Sequence, residues 1–270
     1  MQLLVVFIKT DTTVDGFCRK QYNVAMFNTQ HILYMLISGA LTAVLLFLAN
    51  RFVTDDASKN KILKFFAIIT VVLHYSNLWV DFFKTGGSAT IASTQILPIY
   101  PCNVIMWLLL IAAFQRDKQR RLFQILGEFC FIVGSVCGTF GILLNFNFDN
   151  NPTLADYDIL KGMLSHSTML FGCLFLYFGG YVRIRMFNFV SVIAGLSFFI
   201  FCGVAVNELY QHFGMEAPDG MWLHTNPLNV GFPPMLLALI VISILFAIIN
   251  LWQMHLPEED RWYKNIDTRN

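Results

Sequence analysis

The chain has 270 residues, 56% of them hydrophobic and 13% charged, with a formal net charge of +1. A soluble domain covers its surface with about 25% charged residues, so this composition excludes an ordinary soluble fold, and the near-zero charge gives no footing for nucleic acid. Several apolar runs of about 20 residues are long enough to cross a roughly 30 Å hydrocarbon core as helix. The chain is therefore expected to be all-α and polytopic, because helices satisfy their own backbone hydrogen bonds in lipid.

In chain order, residues 1–30 open with MQLLVVFI. This lacks the basic start, long apolar stretch and small-residue cleavage site of a signal peptide, and reads as an amphipathic segment at the membrane interface. Seven transmembrane helices are predicted at 31–51, 62–83, 96–115, 122–143, 160–181, 187–209 and 232–252. They form one domain over 31–254, and a tail of 255–270 follows. Seven spans put the termini on opposite sides. Of the 18 Lys and Arg, five (Lys9, Arg19, Lys20, Lys84 and Lys161) fall on the side of the N-terminus and the other thirteen on the side of the C-terminus. The positive-inside rule then predicts the N-terminus outside and the C-terminus cytoplasmic, in a cell membrane or, in a eukaryote, an endomembrane. The run RDKQRR at 116–121 is read first as a topology determinant and second as a lipid headgroup site.

Six cysteines are present, at 18, 102, 130, 137, 173 and 202. None forms a C-x-x-C pair. Cys130, Cys137, Cys173 and Cys202 read as small buried packing residues.

Ionisable side chains inside a membrane are costly and point to function. Here they are His74, Asp81, Glu128, His166 and Glu208, accompanied by Asn77, Asn103 and Asn207. His74, Asn77 and Asp81 stand at i, i+3 and i+7, on one helical face. The segment LPIYPC, 97–102, carries two prolines that a regular helix does not accommodate together. Proline suits the first helical position, so helix is predicted to begin at Pro101, with Cys102 in its first turn. His166 lies about six residues, or roughly 9 Å, into the fifth span, at a depth similar to Cys102. The polar set other than Glu128 thus converges near the outer surface, between spans two, three, five and six. Two readings stay open at this point. A thiol beside a histidine is a nucleophile and base; an outward polar cavity is also what a small-solute transporter or ligand-binding protein needs. The plainer possibilities are a kinked helix with an inert cysteine and a histidine that merely bonds a neighbouring helix. The loop 210–231 reads as a lid or a lipid-contacting loop; its His212 and His224 lack zinc-ligand spacing.

The stretch LPIYPCNVIMWLLL resembles the signature of the YwaF-like integral membrane family, in which an LPLHLC-type motif opens a span. The Pro-Cys pair followed by a polar residue is closer to the family's eukaryotic relatives of the transmembrane protein 164 type, and KGMLSHSTML matches in position. Tyr100 and Pro101 depart from the His and Leu of the bacterial motif. The resemblance implies a seven-span protein and, from the eukaryotic relatives, an acyltransferase that moves fatty acyl groups onto lyso ether phospholipids. In it Cys102 is the nucleophile and His166 the base. Asn103, His74 or Asn77 would stabilise the oxyanion, and Asp81, Asn207 and Glu208 would complete the substrate region. Such an enzyme needs no metal or soluble cofactor.

Overall fold

The computed structural model describes residues 27–84, 86, 97–144, 153–183 and 188–223, together with isolated positions between 241 and 257. Helices account for nearly all of the secondary structure, and no strand occurs among the described residues. They are α1 (Thr29–Phe52), α2 (Asp56–Lys84), α3 (Pro101–Phe114), α4 (Arg121–Leu143), α5 (Tyr157–Phe178) and α6 (Asn188–His212). Five of these are long and apolar enough to cross a membrane, and α3 is a shorter apolar helix. The first six expected spans each coincide with one of them. The seventh falls largely outside the described residues, as do residues 1–26 and most of the tail. The chain is a multi-pass membrane protein.

Local chemistry sets the helix starts. The Asn28 side chain accepts a hydrogen bond from His31 N (2.9 Å) at the head of α1, a cap worth about 1 kcal/mol. Asp55 accepts from Ser58 N (2.7 Å) ahead of α2, and this N–H holds the exposed carboxyl below the usual carboxylate range. Asp156 caps α5 through Asp158 N and Ile159 N. Helix α3 begins at Pro101, as the two prolines predict, with Tyr100 extended ahead of it. The third span is nevertheless shorter in helix than expected. Its 14 residues rise about 21 Å, and the non-helical Leu97–Tyr100 precedes them on the same end.

The helices alternate in direction. One end of the bundle gathers the starts of α1, α3 and α5 and the finishes of α2, α4 and α6. His31 Nε2 there donates to Ile142 O (2.7 Å) and Leu154 N donates to Gln30 Oε1 (2.9 Å). The opposite, basic end carries Arg51, Lys59, Lys61, Lys118 and Arg183.

Helix α5 is the centre, touching α1, α2, α3 and α4. Its neighbours bring small and hydroxylated residues to it, which suits lipid-embedded helices because large apolar groups are as comfortable in lipid as in the core. The buried residues of α1 are His31, Ser38, Thr42, Leu46 and Ala49, while Leu33, Leu36, Ile37 and Phe47 face outward. Ser38 Oγ and Tyr34 Oη each hydrogen-bond Ser167 Oγ (2.8 and 2.9 Å), and Thr70 Oγ1 donates to Thr168 (3.0 Å).

Helix α4 carries a π turn at Cys130–Gly134. From its last residue onward, Gly134, Gly138 and Gly141 all face inward: a Cβ at Gly134 would stand 2.5 Å from Cys173 Sγ, and one at Gly138 would stand 3.1 Å from the Leu170 Cα. Glycine here lets α4 and α5 approach backbone to backbone. Before the π turn, α4 instead packs on α6, where Phe129 meets Phe199 edge to face (5.2 Å) and fills the space beside Gly195.

Candidate functional site

The end where α1 starts holds most of the polar residues singled out in the sequence. Three helices bring them in: α2 with His74 and Asn77, α3 with Cys102 and Asn103, and α5 with His166. Hydrogen bonds between helices fix the frame. Asn77 Nδ2 donates to Asp158 Oδ1 at 2.5 Å, Tyr157 Oη to Ser76 Oγ (2.7 Å), and Trp107 Nε1 to Tyr75 Oη (2.9 Å). The His74 ring meets Tyr75 edge-on at 4.9 Å.

Cys102 occupies the first turn of α3 and is half-buried. Its thiol donates to Asn103 Oδ1 (3.4 Å), and Asn103 Nδ2 donates to Leu97 O (3.3 Å). Asn103 thus ties the thiol to the extended strip that leads into the helix.

His166 is oriented by its own helix. Its Nδ1 lies 2.7 Å from Gly162 O. A carbonyl only accepts, so Nδ1 carries the proton and Nε2 keeps its lone pair. The ring lies against Gly141 of α4; a Cβ there would stand 2.0 Å from Cδ2 and 2.4 Å from Nε2. His166 is an electrostatic neighbour of His74. Lys161, five residues earlier on α5, lies within electrostatic reach of Cys102, His74 and His166. Among the described residues no hydrogen bond joins Cys102 to His166 in this conformation, each being held by its own neighbour.

The remaining expected site residues stand elsewhere. Asn207 is buried on α6, and its Oδ1 accepts from Gly220 N (2.7 Å). Glu208 is exposed. The side chain of Asp81 and the loop residue His224 lie outside the described residues. Glu128 accepts from Ser191 Oγ (2.7 Å) in the half of α4 that meets α6, away from the Cys102 region as expected.

The described part of the 210–231 loop turns inward. Met221 N donates to Ile99 O (2.6 Å), Trp222 packs on Tyr100 at 5.4 Å, and Gly220 sits against Gly203 of α6. Asp219, Met221 and Trp222 have φ of 52°, 59° and 52°, a conformation that costs side-chain-bearing residues energy and persists only where surroundings enforce it. The burial of Met221 at 0% exposure supplies that enforcement. The loop is thereby anchored to the strip that precedes Cys102.

Lys161 and Asp158 are the residues that sequence reading missed. Lys161 entered only as a charge on the outer side. Yet Asp158, Lys161 and Ser165 repeat the i, i+3, i+7 spacing that marked His74, Asn77 and Asp81, and that was the available signal. Among the described residues no group of three or more His, Cys, Asp or Glu is placed to hold a metal ion.

Compared with known families, residues 26–253 match the TMEM164 family model. No curated protein and no solved structure matches the chain.

Proposed function

We infer, from the premise that the chain belongs to the TMEM164 family and from the geometry of its polar end, that it is a membrane-embedded lipid acyltransferase working through a cysteine acyl-enzyme. The observation that carries the reading is the tautomer of His166. Its Nδ1–H is held by Gly162 O, which leaves Nε2 as a base in the same polar region as a thiol at a helix start.

In the first half-reaction Nε2 takes the thiol proton from Cys102 as the side chain turns from Asn103 towards it. The sulfur attacks the ester carbonyl of a phospholipid, the ester C–O bond breaks, and the leaving lysolipid oxygen takes the proton back from His166. The acyl chain is left as a thioester on Cys102. In the second, Nε2 removes the proton of an acceptor lysophospholipid hydroxyl. That oxygen attacks the thioester, the C–S bond breaks, and the thiolate is reprotonated by His166. The amides of Asn103 and Asn77 and the ring of His74 are the candidates for stabilising the oxyanion, and Lys161 adds positive charge to the same region.

The test is incubation of the purified protein with a phospholipid labelled in its acyl chain. Protein-bound label that hydroxylamine releases, and that Cys102→Ala loses, is the expected result. Label absent from the wild type removes the acyl-enzyme and leaves the polar end as a ligand or solute site.

The thirteen-to-five distribution of Lys and Arg supports a site facing outward. In a background without other cysteines, Ala155→Cys is expected to react with an impermeant maleimide in intact cells, and Gln119→Cys is not. The reverse pattern puts the site on the cytoplasmic side.

A further inference from the structure

A path of hydrogen bonds and short covalent steps leads from α6 to the Cys102 thiol. Asn207 of α6 starts it, its Oδ1 accepting from Gly220 N (2.7 Å). The next residue, Met221, donates its N–H to Ile99 O (2.6 Å). Two residues before Ile99, Leu97 O accepts from Ile99 N (2.8 Å) and from Asn103 Nδ2 (3.3 Å). Asn103 Oδ1 in turn accepts from the thiol (3.4 Å).

Each link constrains the next. Pro98 and Pro101 have no N–H to give, so the strip 97–100 is held through its carbonyls: those of Leu97, Ile99 and Tyr100 all accept. Leu97 O also decides which way the Asn103 amide faces. A carbonyl only accepts, so Nδ2 turns to it and Oδ1 turns to the sulfur. A strip that shifts removes the reason for the amide to keep that orientation.

The anchor on α6 has two parts. Gly203 and Asn207 stand at i and i+4, on one helical face, and both meet Gly220. A Cβ at Gly203 would stand 2.6 Å from Gly220 O and 3.0 Å from Met221 Cβ. Asp219, Met221 and Trp222 around this contact all have positive φ, so the segment 219–222 keeps its shape only while its anchors hold it. Asn207 and Gly220 are buried, and an Oδ1 removed here leaves the Gly220 N–H without water to replace it. Among the described residues Asn207 Nδ2 has no hydrogen-bond partner, so the side chain acts through Oδ1 alone.

We propose that Asn207 is a positioning residue for Cys102: through segment 219–222 and strip 97–100 it fixes the Asn103 amide, and so the place of the sulfur, without touching substrate. This rests on the acyltransferase reading for the reaction that the thiol serves, but the reactivity of the thiol is measurable without it. Two kinds of reaction at the sulfur then respond in opposite directions. A small electrophile that diffuses to Cys102 needs only a free thiol, and a thiol bonded to Oδ1 must first give up that bond. A lipid ester needs the sulfur in one place relative to His166 and the oxyanion donors. Releasing the strip speeds the first and slows the second.

The experiment uses the full chain in phosphatidylcholine nanodiscs, with N-ethylmaleimide as the probe and mass spectrometry of each cysteine peptide as the readout. Asn207→Ala is expected to raise the alkylation rate of Cys102 about 2- to 10-fold, the worth of one hydrogen bond, while the buried Cys130 and Cys173 keep their rates. The same variant is expected to lower kcat for acyl transfer about 10- to 100-fold, the effect of a small misplacement of a reacting group, with KM little changed. Asn207→Asp keeps an oxygen in the place of Oδ1 and is expected to behave as the wild type. Gly203→Ala pushes Gly220 away with Asn207 intact, and is expected to reproduce Asn207→Ala. A Cys102 rate equal to wild type in both Asn207→Ala and Gly203→Ala overturns the proposal. So does a parallel rise at Cys130 and Cys173, which makes Asn207 a residue of the general packing. A faster Cys102 in these variants, when the wild type forms no acyl-enzyme, leaves the positioning standing and removes the catalytic reading.

Discussion

Both ends of the bundle tie elements together with polar atoms, but only the end where α1 starts also holds a thiol and an imidazole whose bonds are local. At the basic end polar atoms join separate elements. Lys118 Nζ donates to Ala112 O and Ala113 O at the finish of α3 (both 2.8 Å) and lies over the rings of Phe123 (4.8 Å) and Tyr181 (6.0 Å). Gln124 Nε2 donates to Lys118 O (2.7 Å) and Tyr181 O (3.2 Å). At the other end, Cys102 bonds the next residue and His166 bonds its own helix, so Nε2 of His166 stays uncommitted. Polar groups that reach across the structure hold it; polar groups held locally are left with atoms to use.

The sharpest way to break this contrast is to remove the two locally held groups. Cys102→Ala and His166→Gln are expected to bring acyl transfer to background while changing stability by about 1 kcal/mol or less, since neither side chain bridges helices. Cys130→Ala and Cys173→Ala are the controls and retain activity. A Cys102→Ala protein with normal acyl transfer ends the thioester mechanism whatever its stability.

The next effect separates two glycines of α4. A Cβ at Gly138 meets the backbone of Leu170, which cannot step aside without parting the helices, so Gly138→Ala is expected to cost about 1–3 kcal/mol in thermal or denaturant unfolding. A Cβ at Gly141 meets first the ring of His166, a side chain and not backbone. Gly141→Ala is therefore expected to lower acyl transfer more than stability. Equal losses in both measurements would make His166 a packing residue.

The smallest effects lie at the basic end. Lys118→Met is expected to lose about 1–2 kcal/mol of stability, from two hydrogen bonds and a cation–ring contact, with activity per folded molecule unchanged. Burial, reinforced by the nearby Lys64, draws the Lys118 ammonium down to about 8. The folded state thus releases this proton before the unfolded chain does, near 10.5. Stability should then rise modestly with pH between about 8 and 10 relative to Lys118→Met, because the neutral amine still has two N–H donors for Ala112 and Ala113. A flat difference between the two proteins over that range removes the assignment.

What the sequence disclosed followed from rules that act locally. Hydropathy located six helices because lipid demands apolar length, and LPIYPC located the start of α3 because proline lacks an N–H and fixes its own φ. The depth match of Cys102 and His166 followed from helical rise alone, and both lie at the same end of the bundle. Asn207 shows where such reasoning stops. It lies near the finish of α6, as its place in the sequence requires, but its Oδ1 serves Gly220, and no local pattern announces that a loop folds back to meet it. Lys161 was hidden for a related reason: a charge near the start of a span reads as one reaching for water, and only packing shows that it also comes within electrostatic reach of three half-buried groups. The π turn of α4 left no mark in the hydropathy, since inserting one residue changes phase rather than composition.

That turn has a consequence for how α4 tolerates change. A residue of α-helix subtends about 100° and the π turn takes up one extra residue, so winding Cys130–Gly134 into regular helix with every residue kept would rotate everything beyond it by more than a quarter circle. Phe129 would still face α6, while Gly138 and Gly141 would swing off α5 and His166 would lose the bare backbone it leans on. The two halves of one membrane span are in this sense separately aimed. The wider turn between them sets their relative bearing, so residues before and after it are free to vary on different helical phases within a single continuous helix.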